Sequence, residues 1–326
     1  MKAVWYRKNG SANDVLEYGE MPTPEPGAGE VLVRLHTSGV NPSDVKSRAA
    51  RPLNAERIIP HSDGAGVIEA VGAGVDASRI GQRVWIWNGQ WERPLGTCAQ
   101  YICLSQAQAV ALPDHISFEA GACLGIPALT AWQAIEHAGA IKDKTVLIIG
   151  AANAVGSYCV QLAKRKGARI IATVGSEAKA QTAKALGAHH TVDYKSSDCV
   201  EQIIKIAGPG GVDVIIDMDF SSVNRFVVGG VLKSHGLIVS YGSNDMVNNH
   251  FDFRPWLFQS VTVKLFLVYT LTDKERQAAL EGLGQLLQDN ALEHKIGATF
   301  KLSDTVLAHQ AVEQGQLIGN VVVTVD

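Results

Sequence analysis

The hydrophobic pattern changes character partway along the chain. Residues 1–115 carry short apolar runs broken by Gly and Pro, such as Val31–Leu35, Gly66–Val71 and Arg83–Trp87. That spacing predicts short strands in a β-rich, barrel-like unit. Pro22-Thr23-Pro24-Glu25-Pro26-Gly27 predicts a turn or extended linker, since Pro disfavours helix in the residue before it. Near Ser117 the period lengthens. Ser117 can cap a helix with Glu119 in its first turn, and the pattern carries that helix to about His137. Strands and helices then alternate. The predicted strands are Thr145–Ile149, Arg169–Val174, Thr191–Val192, Val212–Asp217 and Leu237–Tyr241, with Val261–Leu267 as a candidate sixth. The predicted helices are Ala154–Lys166 and segments near 177–186, 198–207 and 221–233. Ala154–Lys166 places Val155, Cys159, Leu162 and Ala163 on one face, bases in its last turn and Gly167 just past its end. Such alternation predicts an α/β fold, a parallel sheet with helices on both faces. A helix at about 273–289 and a last strand, Asn320–Val325, return to the first unit.

Composition narrows the function classes. The 326 residues suggest about two domains. With 46% hydrophobic and 19% charged residues, disordered, collagen-like and coiled-coil chains are excluded. A net charge of −3 gives no basic field, so no nucleic-acid partner is expected. No apolar run approaches the ~18 residues of a membrane span, and Met1–Gly10 shows no signal core. Five cysteines with no regular framework point to a reducing cytoplasm. No G-x-S-x-G elbow supports a serine hydrolase.

The most informative segment runs from Thr145 to Tyr158: strand, tight glycine turn at Gly150, then helix from Ala154 past Gly156. Such a turn brings backbone N–H groups and a helix N-terminus to the pyrophosphate of a dinucleotide. The full G-x-G-x-x-G is absent, with Ala152 and Ala154 where small residues are wanted. A βα turn without a ligand is the alternative, but the strand at 169–174 supplies the context a nucleotide site needs. That strand ends in Thr173-Val174-Gly175-Ser176, without the acid that holds the ribose of NAD. Lys179, one turn on, either meets a 2′-phosphate or is a solvated helix lysine. Missing acid and nearby base favour NADPH over NADH.

Longer motifs carry a family resemblance. They are Met1-Lys-Ala-Val-Trp-Tyr6, Gly29-Glu-Val-Leu-Val-Arg34, Gly39-Val-Asn-Pro-Ser-Asp44, Ser62-Asp-Gly-Ala-Gly-Val-Ile-Glu-Ala-Val-Gly72 and Gly125-Ile-Pro-Ala-Leu-Thr-Ala-Trp132. With the nucleotide turn, they make the chain resemble the medium-chain dehydrogenase/reductase superfamily, in its zinc-free, zeta-crystallin-like quinone oxidoreductase branch. The resemblance implies a GroES-like catalytic domain of residues 1–122 and 266–326 and a Rossmann domain of residues 123–265, with the active site in the cleft between them. It also implies a homodimer through the Rossmann edge, for which Val261–Tyr269 is the candidate strand. The catalytic ligands of zinc-dependent relatives fall at Asn41, Ser62 and near Ile126, and none ligates zinc well. His61 and Asp63 beside them read as a turn histidine and a domain-facing aspartate, so no metal is expected.

The implied activity is zinc-independent hydride transfer from NADPH to a quinone or a conjugated carbonyl. By resemblance, Asn41 lies near the nicotinamide and the acceptor. Thr130 sits at the nicotinamide ribose or amide, unless its hydroxyl is spent on its own helix backbone. Gly150, Ala152, Asn153, Ala154, Val155 and Gly156 line the pyrophosphate, with Asn153 supplying left-handed geometry to relieve the turn. Ser176, Lys179 and Tyr194 match the 2′-phosphate and adenosine region. Tyr241, Gly242 and Ser243 approach the centre of the cofactor, and Phe266, Leu267 and Val268 its carboxamide. Asn320 stands where relatives often carry Lys. Lys46 stands where many carry a substrate-side Tyr. Two alternatives stay open: an NADPH-dependent alkenal or enone reductase, and a low-turnover NADPH-binding structural or regulatory protein.

Overall fold

The computed structural model describes residues 1–325; Asp326, the last residue of the expected catalytic domain, lies outside them. The chain forms two compact units. One is Met1–Ala128 with the chain from Gly282 onward, the other Leu129–Glu281.

The sheet of the first unit follows the path Ile296–Lys301, Asn320–Thr324, Glu30–Val40, Asp63–Val71, Arg83–Ile86, Ala109–Ala111, and Tyr101–Ser105 pairs with Glu30–Val40 off this path. Only Ile296–Lys301 and Asn320–Thr324 run parallel; the other pairings are antiparallel. Val31, Val33 and Leu35 point alternately into a core shared with Ile68, Ile102 and Val323. Each such aliphatic side chain contributes about 1.5–3 kcal/mol by leaving water. Asn320–Thr324 pairs antiparallel with Glu30–Val40, with Val321 opposite Val40, and this ties the tail to the unit. The strand Ile296–Lys301 and the helices Pro42–Ala50 and Thr305–Gln314 were not marked by the hydrophobic pattern. Pro42 opens its helix at the one place where a missing N–H costs nothing.

The helix expected from Ser117 to about His137 is in fact three pieces. Phe118–Gly121 is capped by Ser117, whose hydroxyl accepts the Ala120 N–H; a π-helical turn, Leu124–Ala128, and the helix Leu129–Ala138 follow. Pro127 lies inside the π turn. It has no N–H, and its ring blocks the carbonyl one turn back, so a regular helical ladder cannot pass.

The second unit holds six parallel strands in the order His190–Asp193, Arg169–Val174, Thr145–Ile148, Val212–Asp217, Leu232–Ser240, Thr262–Leu265. Counted along the chain, this is the 3-2-1-4-5-6 order of a doubly wound Rossmann sheet. Val146, Leu147 and Ile148, and Val214, Ile215 and Ile216, are buried on both faces, which is why these strands read as unbroken apolar runs. The helix expected over 221–233 is Phe220–Val228. Gly229 ends it, Gly230 turns at φ +75, and the next strand starts at Leu232, earlier than its pattern suggested. Exposed Lys233, Ser234 and His235 hide that start. Among the described residues, no helix is long and apolar enough to cross a membrane.

Candidate functional site

In the second unit, Thr145–Ile148 runs into a tight turn that opens the helix Ala154–Arg165. Gly150 takes φ +71, and a Cβ there would lie 2.3 Å from Met218 Sδ and 2.7 Å from Asn153 Nδ2. Only glycine adopts that backbone without a side-chain penalty. At Gly156 a Cβ would lie 2.2 Å from the Gly150 carbonyl oxygen, so helix and turn meet backbone to backbone. The Gly150 N–H donates to Thr173 Oγ1 and the Ala151 N–H to the Thr173 carbonyl, which pins the turn to the next strand. Asn153 departs from its expectation. Its φ is −79, an ordinary extended value, and its amide donates to Met218 Sδ at 3.0 Å. Gly150 already supplies the left-handed bend, so Asn153 need not. Ala152 is buried, while Ala154 and Val155 are half-buried at the helix start. The first-turn N–H groups there have no intrahelical acceptor and carry the positive end of the dipole. This cradle fits a pyrophosphate.

A second set of polar side chains gathers around Gly175. Ser176 caps the helix Glu177–Leu186, its hydroxyl accepting the Lys179 N–H at 3.3 Å. Lys179 is half-buried, and burial, then the charge of Lys195, lowers its pKa. Lys195 was missed by the sequence reading; its Nζ donates to the Gly175 carbonyl at 2.8 Å. Tyr194 flanks the same glycine, where a Cβ would lie 2.8 Å from the ring. Lys195 directly follows Tyr194, but its relevance shows only once His190–Asp193 is known to lie beside Arg169–Val174. Tyr194 also borders a cavity lined by Asp219, Ser221, Asn224 and Arg225.

Thr130 lies in the helix Leu129–Ala138 and is 4% exposed, and its hydroxyl has no hydrogen-bond partner among the described residues. The bland alternative, a bond to its own helix backbone, is therefore absent. An unmet buried hydroxyl costs about 1–3 kcal/mol, so it marks a place for a ligand's polar group. Tyr241, Gly242 and Ser243 follow Leu232–Ser240; the Ser243 hydroxyl accepts the Ser221 N–H and donates to the Asp245 carbonyl, which fixes this loop. Phe266 meets His137 edge-on at 5.2 Å between centroids and tilts against Tyr241. Leu267 is exposed, and the Val268 carbonyl accepts from Arg276 at 2.6 Å.

Asp217, at the end of its strand, is wholly buried and accepts from Ser240 Oγ and the Asp219 N–H. Burial pushes its pKa up to about 6, against those hydrogen bonds. The folded state thus holds this proton over a range where the unfolded carboxyl, at 3.8, has lost it. Its contribution to stability is full below 3.8 and lost as pH rises to about 6. Asp217→Asn does not titrate. The variant should therefore gain on the wild type by about 2 kcal/mol between pH 4 and pH 7 in denaturant unfolding. A difference that stays constant with pH would contradict this account.

In the first unit, Asn41 sits between Glu30–Val40 and Pro42–Ala50 and is 3% exposed. Its amide donates to Asp63 Oδ2 at 2.8 Å, and the same oxygen accepts the Ile126 N–H at 2.9 Å. Its backbone N–H donates to Asp44 Oδ2 at 2.7 Å. Burial pushes Asp44 up to about 7 and raises Asp63 well above the usual carboxylate range. Asn41, Asp63 and Ile126 are thus drawn together by hydrogen bonds. An amide, a hydroxyl at Ser62 and an aliphatic Ile126 make a donor set that does not fit Zn²⁺. Among the described residues, no three His, Cys, Asp or Glu side chains gather to a metal-sized cluster. His61 stands in the loop just before the strand Asp63–Val71. It is wholly buried, with a left-handed backbone at φ +76. Lys46 is exposed on Pro42–Ala50, and the Asn320 amide is spent on the Lys295 carbonyl at 2.9 Å.

Two family profiles match the chain: "Alcohol dehydrogenase GroES-like domain" over residues 27–114 and "Zinc-binding dehydrogenase" over residues 154–284. Quinone oxidoreductase of Sus scrofa is 28% identical over 316 residues, covering 96% of this chain and 94% of its own. The structure of Escherichia coli quinone oxidoreductase complexed with NADPH is 26% identical, with a TM-score of 0.90 and 100% of both chains covered. That of an NAD-dependent alcohol dehydrogenase is 29% identical, also with a TM-score of 0.90 and 100% of both chains covered. With a Rossmann unit and a GroES-like unit in one chain, and amide, hydroxyl and alkyl groups where zinc ligands would fall, the protein belongs to the medium-chain dehydrogenase/reductase superfamily, in its zinc-free quinone oxidoreductase branch.

Proposed function

We propose that this oxidoreductase is an NADPH-dependent quinone reductase that works without zinc. The observation that carries the reading is the set of Ser176, Lys179 and Lys195 around Gly175, at the strand tip where an NAD-selective site wants an acid. The turn from Gly150 to Gly156 and the first turn of Ala154–Arg165 take the pyrophosphate. Lys179 and Lys195 take the 2′-phosphate, and Tyr194 takes the adenosine. The Thr130 hydroxyl, otherwise unpartnered, takes a polar group of the nicotinamide riboside. Bound NADPH supplies the hydride.

The chain's own residues then bind, orient and stabilise. Asn41 has one amide N–H committed to Asp63 Oδ2, which fixes the plane of the amide. The amide also bonds the Asp44 carboxyl, and it exchanges that bond for one to the acceptor oxygen as negative charge develops there. An amide cannot serve as an acid, so the proton that completes the hydroquinone comes from solvent. A quinone suits this arrangement because its carbonyl needs no Lewis acid to accept a hydride.

We also propose a homodimer and a reducing compartment. Thr262–Leu265 is an edge strand with Leu265 67% exposed, and Leu257 and Phe258 nearby in sequence are exposed too. Such an edge invites pairing, and sedimentation should give twice the chain mass; a monomer would contradict the dimer. Cys98, Cys103, Cys123, Cys159 and Cys199 are all free and buried, which supports the reducing compartment.

The test of function is an acceptor panel. Chelator-treated protein is given NADPH with an ortho-quinone, a para-quinone and a 2-enal. Quinone turnover unaffected by chelator is expected. Faster turnover of the enal would instead assign an enone reductase. Tight NADPH binding with no turnover would assign a binding protein.

A further inference from the structure

A chain of buried polar side chains crosses the first unit and closes on Asn41. Arg48, on Pro42–Ala50, is 1% exposed. Its Nε donates to the Gly10 carbonyl at 3.1 Å and its Nη2 to Glu313 Oε1 at 2.5 Å. Its Nη1 reaches His309 Nδ1 at 3.2 Å. His309 Nε2 faces His61 Nε2 at 2.9 Å, and His61 Nδ1 faces Ser38 Oγ at 2.8 Å. Ser38 Oγ meets Thr97 Oγ1 at 2.8 Å, and Thr97 Oγ1 donates to the Asp63 carbonyl at 2.5 Å. His309, His61, Ser38, Thr97 and Asp63 are all 0% exposed.

The direction of every bond follows from the two ends. A guanidinium only donates, so His309 Nδ1 must accept. The proton of a neutral His309 then sits on Nε2 and is donated to His61 Nε2. That leaves the His61 proton on Nδ1, donated to Ser38 Oγ. At the far end a carbonyl only accepts, so Thr97 spends its proton on Asp63 and must accept from Ser38. Both ends demand the same direction, and no link is left with two donors or two acceptors. Burial and the neighbouring charges, His309 for His61 and Arg48 for His309, disfavour a second proton on either ring.

We infer that this chain is a one-directional hydrogen-bond brace that positions Asn41, with Arg48, His309, His61 and Ser38 as positioning residues. The brace forms a ring. From Asn41 the helix Pro42–Ala50 leads to Arg48; the chain leads from Arg48 to the Asp63 backbone, and the Asp63 carboxyl returns to the Asn41 amide. Asn41 is thus held at both its backbone and its side chain by one network. The left-handed backbone at His61 fits this role. A residue with a Cβ adopts it only under constraint, and here it aims the ring between Ser38 and His309. The positioning role rests on the proposed function, in which Asn41 contacts the acceptor; the bond directions do not.

Two experiments test the brace. In protein labelled with ¹⁵N-histidine, two-bond ¹H–¹⁵N correlation spectra at neutral pH should show His309 protonated at Nε2 and His61 at Nδ1. His61→Gln and His309→Gln assign the signals. His61 protonated at Nε2, or either ring carrying two protons, would overturn the direction. His309→Gln can still accept from Arg48 and donate to His61, whereas His309→Leu can do neither. His309→Leu should lower kcat for the quinone about tenfold with NADPH KM unchanged. It should also shift the side-chain amide signal of Asn41, and His309→Gln should restore both. Equal kinetics and an unmoved Asn41 signal in both variants would overturn the positioning role. If His309→Leu does not fold, Ser38→Ala interrupts the same chain further along, with the same outcomes expected. If the wild type turns over no acceptor, the proposed function fails by itself, and the tautomers and the Asn41 amide signal still decide the brace.

Discussion

Gly156→Ala should weaken NADPH binding about 100-fold and lower the unfolding temperature, although it adds a single methyl group. The new Cβ would lie 2.2 Å from the Gly150 carbonyl oxygen and 2.9 Å from Ala151 Cα. Both neighbours are backbone, so no side chain can rotate away. The helix Ala154–Arg165 must move off the turn, and overpacking of this kind costs about 1–3 kcal/mol. The same shift carries the first-turn N–H groups away from the pyrophosphate position. Losing about 2.7 kcal/mol of their interaction is the 100-fold weakening. Fluorescence titration with NADPH, beside a melting curve, checks both effects. Wild-type affinity in a destabilised variant would show that this turn is not the nucleotide cradle.

Replacing Lys179 and Lys195 together by alanine should raise the KM for NADPH about 100-fold and leave that for NADH within about twofold. The two ammonium groups are the basic members of the set around Gly175. A charge-assisted hydrogen bond to a phosphate contributes about 1.5–3 kcal/mol. The lower end applies here, because both groups remain partly in solvent. Two such contacts give close to 3 kcal/mol, or about 100-fold. High salt should erode NADPH binding in the wild type more than in the variant. Steady-state kinetics with both nucleotides measures the effect. Equal losses for NADPH and NADH would mean that the lysines shape the turn and do not read the 2′-phosphate.

The second unit was legible because its local signals agree with its tertiary role. Arg169–Val174 and Val212–Asp217 are apolar because they are buried on both faces, and Glu177–Leu186 lies between a serine cap and Gly187 at φ +123. Legibility failed where a neighbour in space decides the outcome. In Leu232–Ser240 the exposed Lys233, Ser234 and His235 follow the first residue, and the strand is fixed by its pairing with Val212–Asp217 on one side and Thr262–Leu265 on the other. The strand Ile296–Lys301 draws its order from Asn320–Thr324 in the same way. Pro127 was visible, but a π turn that carries the chain past it was not.

The candidate site divides along the same line. Gly150, Gly156 and Lys179 could be named because the turn is contiguous in sequence. Lys195 could not, because its partner Gly175 lies just past the end of the neighbouring strand Arg169–Val174. Asn153 was given the wrong job because the sequence does not show that Gly150 alone makes the bend. His61 and His309 are separated by 248 positions, so their contact leaves no local trace. Asn41 was picked out by resemblance while Asp63 was read as a domain-facing aspartate, and the hydrogen bond between them became visible only in the folded unit.

The most direct measurement is the kcat/KM of the wild-type protein for a para-quinone, taken with NADPH and again with NADH at physiological salt. The account predicts turnover with a preference for NADPH of about 100-fold, matching the two lysine contacts. Turnover that favours NADH, or none with either nucleotide, would contradict it.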